Sequence, residues 1–149
     1  EDSVRLLARR IAARGSNDPF VVMGDFNMKI DNPAMKYLQN LSRKTPYPRM
    51  FDAWTMANPG RRGIGTAHRF GGPGTGSRID HIPISEGIKA LDDDTISYAM
   101  DGRYPSDHFP VIATLQLSGQ QDERRIRYNR IEESEKRSEN TEAVRETQG

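Results

Sequence analysis

The sequence has no cysteine. That removes disulfides, thiolate nucleophiles and cysteine-held metals together, and fits either a reducing or an oxidising compartment. No apolar run approaches the roughly 20 residues of a membrane-spanning helix. The opening EDSVRLLARR is interrupted by arginines and does not read as a signal peptide. A soluble chain is expected, with cytoplasmic and exported locations both open. An excess of one charge is also lacking: 22 basic and 21 acidic residues leave +1. No bulk field therefore draws the chain to nucleic acid or an acidic membrane, and any anion site must be local. Hydrophobic residues are only 34% of the 149 and charged residues 29%, enough for one domain with a core but leaving part of the chain outside it. The first residue is Glu1 rather than methionine, which suggests processing or truncation.

What is present follows an α/β rhythm. Val4, Leu7, Ala8 and Ile11 recur at helical spacing with arginines opposite, and Gly15 is a suitable C-terminal cap, so a helix is expected over residues 3–14. The apolar run in FVVMGDFNM (20–28) predicts a strand. Asn32 and Pro33 are an N-cap and first-turn pair for a short helix carrying Met35, Leu38 and Leu41. Beyond Pro46, strands are predicted at 50–57, 66–70, 78–84, 95–99 and 111–117. The loops NPGRRGIG and GGPGTGS between them lack the Gly-Lys-Ser/Thr ending of a nucleotide-binding P-loop. The body is placed at residues 1–118 and a charged tail at 119–149. From Gln120 onward there are 8 acidic and 7 basic residues, too little apolar content to offset the entropy of ordering, so the tail is expected to be disordered or partly helical.

Three polar clusters stand out at strand ends. On a continuous strand Asp25 and Asn27 share a face, roughly 6 to 7 Å apart, with Phe26 opposite. They could simply satisfy loose backbone donors in the next turn, or they could form the rim of a site. In SRIDHIPI, Asp80 shares a face with Ile82 and Ile84, and a carboxylate there needs a partner. In YPSDHFPVIATL, Asp107 and His108 are held between Pro105 and Pro110 just before an apolar strand. A serine-hydrolase reading of Ser106, Asp107 and His108 fails, since sequence neighbours do not generally form a triad and no G-x-S-x-G elbow occurs.

The segments VVMGDFNM, GTAHRFGG, RIDHIPIS and GRYPSDHFPVIATL, in this order and at these spacings, resemble the second half of the endonuclease/exonuclease/phosphatase superfamily over about residues 4–117. The resemblance implies a DNase-I-like α/β fold, a four-layer α/β sandwich of which this chain covers about the C-terminal half. It implies metal-dependent hydrolysis of phosphate esters, with Mg²⁺ or Mn²⁺ as the cofactor. Asp25 matches the aspartate that activates water, Asn27 the asparagine on the scissile phosphate, His108 the histidine that stabilises the phosphoryl group, and Asp80 the carboxylate that orients it. Asp107 and Asp25 are the implied metal ligands, and His68 and Arg78 the candidate substrate contacts. The substrate could be nucleic acid, a phospholipid headgroup or a small phosphate ester.

Departures from the family pattern accompany the matches. The family's first half, which supplies a metal-binding glutamate, an asparagine and a further histidine, has no counterpart in this chain and is the expected partner. The family usually has an aromatic where Ala67 stands, and Trp or Tyr where His81 follows Asp80. The alternative function is a non-catalytic scaffold or interaction module, discriminated by whether that glutamate exists upstream.

Overall fold

The computed structural model of the chain describes residues 2–40 and 46–118. The first apolar stripe does what its spacing dictates: α1 (Asp2–Ala12) buries Val4, Ala8 and Ile11. Gly15 ends the turn beyond it at φ 70°. The second helix, α2 (Pro33–Gln39), starts where expected, with the Asn32 side chain accepting from Ala34 N at 2.9 Å. Asn40 closes it in the left-handed conformation that asparagine tolerates. Leu41 lies outside the described residues, as does the tail assigned to 119–149. α1 and α2 pack on Phe20, Val22, Phe26 and Met50 to form the first of two cores.

The run from Phe20 is extended, but only Gly24–Asp25 forms a named strand, β1. It lies antiparallel to the segment holding β3 (Asp80–His81) and β4 (Pro83–Ser85). Gly24 faces His81, Asp25 faces Asp80 and Val21 faces Ile84. Hydrogen bonds from Val22 N to Pro83 O (2.8 Å), Ser85 N to Phe20 O (3.0 Å) and Phe26 N to Ile79 O (2.9 Å) extend the pairing at both ends. On its other edge β4 pairs with β2 (Met50–Asp52).

Three predicted strands need correction. The stretch 50–57 is a strand only to Asp52; its second half is the helix α3 (Ala53–Ala57). The reason is a cap: Asp52 Oδ2 accepts from Thr55 N at 3.0 Å and Thr55 Oγ1 at 2.8 Å, satisfying donors at the helix start. Residues 66–70 form no strand, because their backbone is shared between two partners, Ala67 bridging to both Ser77 and His108. The strand expected at 95–99 ends at Thr95. It is the last residue of β5 (Ile88–Thr95), whose Asp92–Asp94 run hid it from propensity arguments. β5 pairs antiparallel with β6 (Val111–Leu117), found where predicted, and an irregularity at Leu91 shifts the register. Ala53, Ile82, Ile84, Ile88 and Ala90 form the second core between α3 and these strands.

The described residues up to Leu117 form one compact unit of mixed helix and sheet. Among the described residues no helix is long and apolar enough to cross a membrane.

Candidate active site

Asp25 and Asp80 sit opposite each other on β1 and β3, so their side chains leave the same face. After Asp25 the chain quits the strand: Asn27 adopts φ 52°, a left-handed conformation that asparagine accepts readily. The turn is closed by Asp25 itself. Its Oδ1 accepts from Asn27 N at 2.7 Å and its Oδ2 from Asn27 Nδ2 at 3.1 Å. The two residues are therefore partners as expected, but through a carboxylate-closed turn rather than strand alternation. Phe26 turns inward, edge-on to the His81 ring.

His108 reaches this rim from 28 residues further along. Its Nδ1 donates to Asp80 Oδ2 at 2.8 Å. The hydrogen bond to Asp80 raises the His108 pKa; partial burial opposes the shift, and the negative charges of Asp80, Asp25 and Asp107 add to it. The shift is toward the charged form of the ring, which suits a group facing an anion.

What holds the two halves together is a residue the sequence reading passed over. Thr66 is fully buried, and its Oγ1 accepts from Ile79 N at 3.0 Å and Asp80 N at 3.1 Å. Its carbonyl accepts from Phe109 N at 2.8 Å. One threonine thus ties the start of β3 to the loop bearing His108. Next to it, His68 N and Arg69 N donate to Asp107 O at 2.9 and 3.0 Å. A Cβ on Gly76, at φ 74°, would come within 1.7 Å of Ala67 O, so that hairpin closes only around glycine. The available signal was a threonine inside GTAHRF, the segment already singled out.

The remaining candidates divide. Asp25, Asp80 and His108 each offer a ligand atom, all within 4.8 Å of one another. Asp107 is not in that group; its carbonyl braces the loop and its charge acts on His108. His68 is buried, stacked on Phe109 with ring centroids 3.6 Å apart and flanked edge-on by Tyr104. It packs the loop from within. Arg78 lies over the Trp54 ring at 4.6 Å and donates to Thr95 Oγ1 at 2.9 Å and to Asp93 Oδ1 at 3.1 Å. His81 points to the opposite face from Asp80: its Nδ1 lies 3.3 Å from Asp52 Oδ1 and its Nε2 donates to Met28 O at 3.0 Å. Burial alone would raise the Asp52 pKa, but hydrogen bonds from His81 and Thr55 outweigh it and hold the carboxyl below its ordinary range.

Comparison with known proteins bears on the family and the fold. The model of the Endonuclease/Exonuclease/phosphatase family matches residues 3–108. Among curated proteins nothing matches the chain significantly. An endonuclease/exonuclease/phosphatase from Bacteroides vulgatus is 25% identical with a TM-score of 0.62, over 78% of this chain and 43% of that one. A mannosyl-6-phosphatase from Bacteroides thetaiotaomicron is 22% identical with a TM-score of 0.57, over 78% of this chain and 45% of that one. A conserved protein of unknown function from Enterococcus faecalis gives 23% and 0.60, over 76% and 42%. The chain thus spans less than half the length of these structures. A match that runs from the first helix to the histidine completing the rim, on a shared α/β fold, makes this chain a partial member of the endonuclease/exonuclease/phosphatase family.

Proposed function

We propose that the rim of Asp25, Asn27, Asp80 and His108 hydrolyses phosphate esters when the domain is complete. One observation carries this reading above the rest: a histidine held by one carboxylate at 2.8 Å, beside a second carboxylate that has fixed an asparagine amide. Asp25 orients the attacking water and accepts its proton. The Asn27 carboxamide, held by Asp25, keeps a second N–H for the scissile phosphate. Asp80 fixes the ring of His108 through Nδ1 and favours its charge, so Nε2 becomes the donor to a phosphoryl oxygen as negative charge develops.

Asp25 and Asp80 form an all-oxygen but sparse donor set, His108 being committed as a donor at both ring nitrogens, and it fits a hard cation such as Mg²⁺ or Mn²⁺ only when substrate oxygens and water complete the shell. Asp25 and Asp80 are the residues that would hold it, with Asp107 contributing nearby negative charge. When bound, such an ion supplies charge neutralisation at the phosphoryl oxygens. The family's first half, with its glutamate, is the partner that would raise this affinity.

The test is an assay of the whole protein on a chromogenic phosphomonoester and phosphodiester, a sugar phosphate, single- and double-stranded DNA, and a phospholipid. The phosphatase neighbour is what puts the sugar phosphate on that panel. Hydrolysis that EDTA abolishes and Mg²⁺ or Mn²⁺ restores is the expected result. A folded, metal-supplied protein inactive on every substrate would replace this reading with that of a binding scaffold.

A further inference from the structure

The other face of the β1–β3 ribbon borders a cleft of about 750 Å³, lined by Lys29, Arg61, Arg62 and Arg78 together with Trp54 and His81. The size suits a small molecule rather than a polymer. Its charges do not cancel. Arg78 is neutralised by Asp93, and Asp52, which also lines the cleft, has its oxygens engaged by His81 and Thr55. Lys29, Arg61 and Arg62 are left against Asp31 alone.

One of these cations is held in place from beneath. Asn58 is buried, and its Nδ2 donates to Asp93 O at 3.0 Å, which turns its Oδ1 toward Arg61 Nη1 at 3.1 Å. The Arg61 backbone N–H donates to the Asn58 carbonyl at 3.1 Å in the same turn. Arg62, exposed beside it, has no ion-pair partner among the described residues. An arginine anchored by a buried amide is a donor whose ordering entropy is already met in the free protein, which favours binding.

We propose that this cleft binds a phosphate-bearing small molecule, with Arg61, Arg62 and Lys29 as its anion contacts, at a site separate from the Asp80–His108 rim. Guanidinium groups recognise phosphate oxygens by paired N–H donors, and in a chain of net charge +1 the attraction must come from this local surplus. The assignment does not depend on hydrolysis at the rim, since it uses none of the same residues.

The molecule carries its own reporter. Trp54 is the single tryptophan, and the Arg61–Gly65 loop lies against it, a Cβ on Gly63 falling 3.0 Å from Trp54 Cε2. Inorganic pyrophosphate titrated into the 149-residue chain should change Trp54 fluorescence saturably, whereas potassium chloride at equal ionic strength should not. Arg61→Gln combined with Arg62→Glu should weaken binding roughly tenfold or more, on the scale of lost charge-assisted hydrogen bonds. Lys29→Ala, on a different segment, should weaken it about threefold and serves if the loop variant fails to fold. His108→Ala should leave the affinity within about twofold. The proposal is overturned by the absence of a saturable change, by full affinity in folded charge variants, or by loss of the response in His108→Ala, which would place the anion at the rim.

Discussion

Asp80 turns toward His108, and His81, the next residue, turns toward Asp52, because successive side chains on a strand alternate faces. The Asp80–His108 side chains are 15% and 29% exposed; those of Asp52 and His81 are 2% and 1%. The exposed pair leaves the outer imidazole nitrogen for a ligand. In the buried pair both nitrogens face acceptors within the protein, and the carboxylate also caps α3. The same chemical couple thus stands in two environments. What each pair is free to do is set by burial and by how many partners already claim the groups.

The largest expected difference between the pairs is in turnover. His108→Ala in the whole protein should lower it by roughly 10² to 10⁴, the range for a positioned proton-transfer or charge-stabilising group, with the melting temperature nearly unchanged. His81→Leu should leave the turnover of the folded fraction within a few-fold. Parallel kinetics and thermal melts check both, and equal catalytic losses in the two variants would erase the distinction.

Stability should show the reverse order. Asp52→Ala strands the buried His81 and removes a helix cap, and should cost about 3 kcal/mol in denaturant unfolding. Asp80→Asn should cost less than about 1 kcal/mol, as befits a partly exposed pair. Next comes Thr66→Val, which leaves the Ile79 and Asp80 N–H groups without their acceptor. A loss of about 2 kcal/mol is expected, together with reduced turnover that buffer and metal do not rescue.

The buried side should also show a pH dependence. Burial pushes the Asp93 carboxyl up to about 6, against the lowering influence of Arg78. Because the folded state then binds the proton more tightly than the unfolded chain, the stabilising contribution is full below the ordinary carboxylate pKa and is lost as pH rises toward 6. Between pH 4 and 6 the wild type should therefore lose on the order of 1–2 kcal/mol relative to Asp93→Asn, read from unfolding midpoints across that range. A constant offset between the two proteins would remove Asp93 from the account.

The parts of this molecule that could be read in advance were those with a local cause. The α1 stripe, the Asn32–Pro33 start of α2 and the alternating β6 each carry their signal within a few residues. The rim residues were legible as types, since GDFN, RID and SDH carry the family resemblance. Their geometry was less so: Asn27 reaches Asp25 by leaving the strand, which alternation does not foresee. β5 was hidden by its acidic run, because Asp93 is paired with Arg78 from 15 residues earlier and no propensity contains that contact. His68 and Arg78, which the resemblance offers as substrate contacts, are held by a stack on Phe109 and a pair with Asp93, and no local sequence pattern contains either contact. Thr66 was missed because a buried hydroxyl serving two backbone donors looks, in sequence, like any threonine.

The central claim is that His108, held by Asp80, faces an anionic ligand. The chain has three histidines, so their ring resonances can be followed one by one by NMR as inorganic phosphate is added. The account predicts a saturable shift of the His108 ring with a rise in its titration midpoint, lost in Asp80→Asn. A folded chain whose His108 resonance stays in place throughout the titration would contradict it.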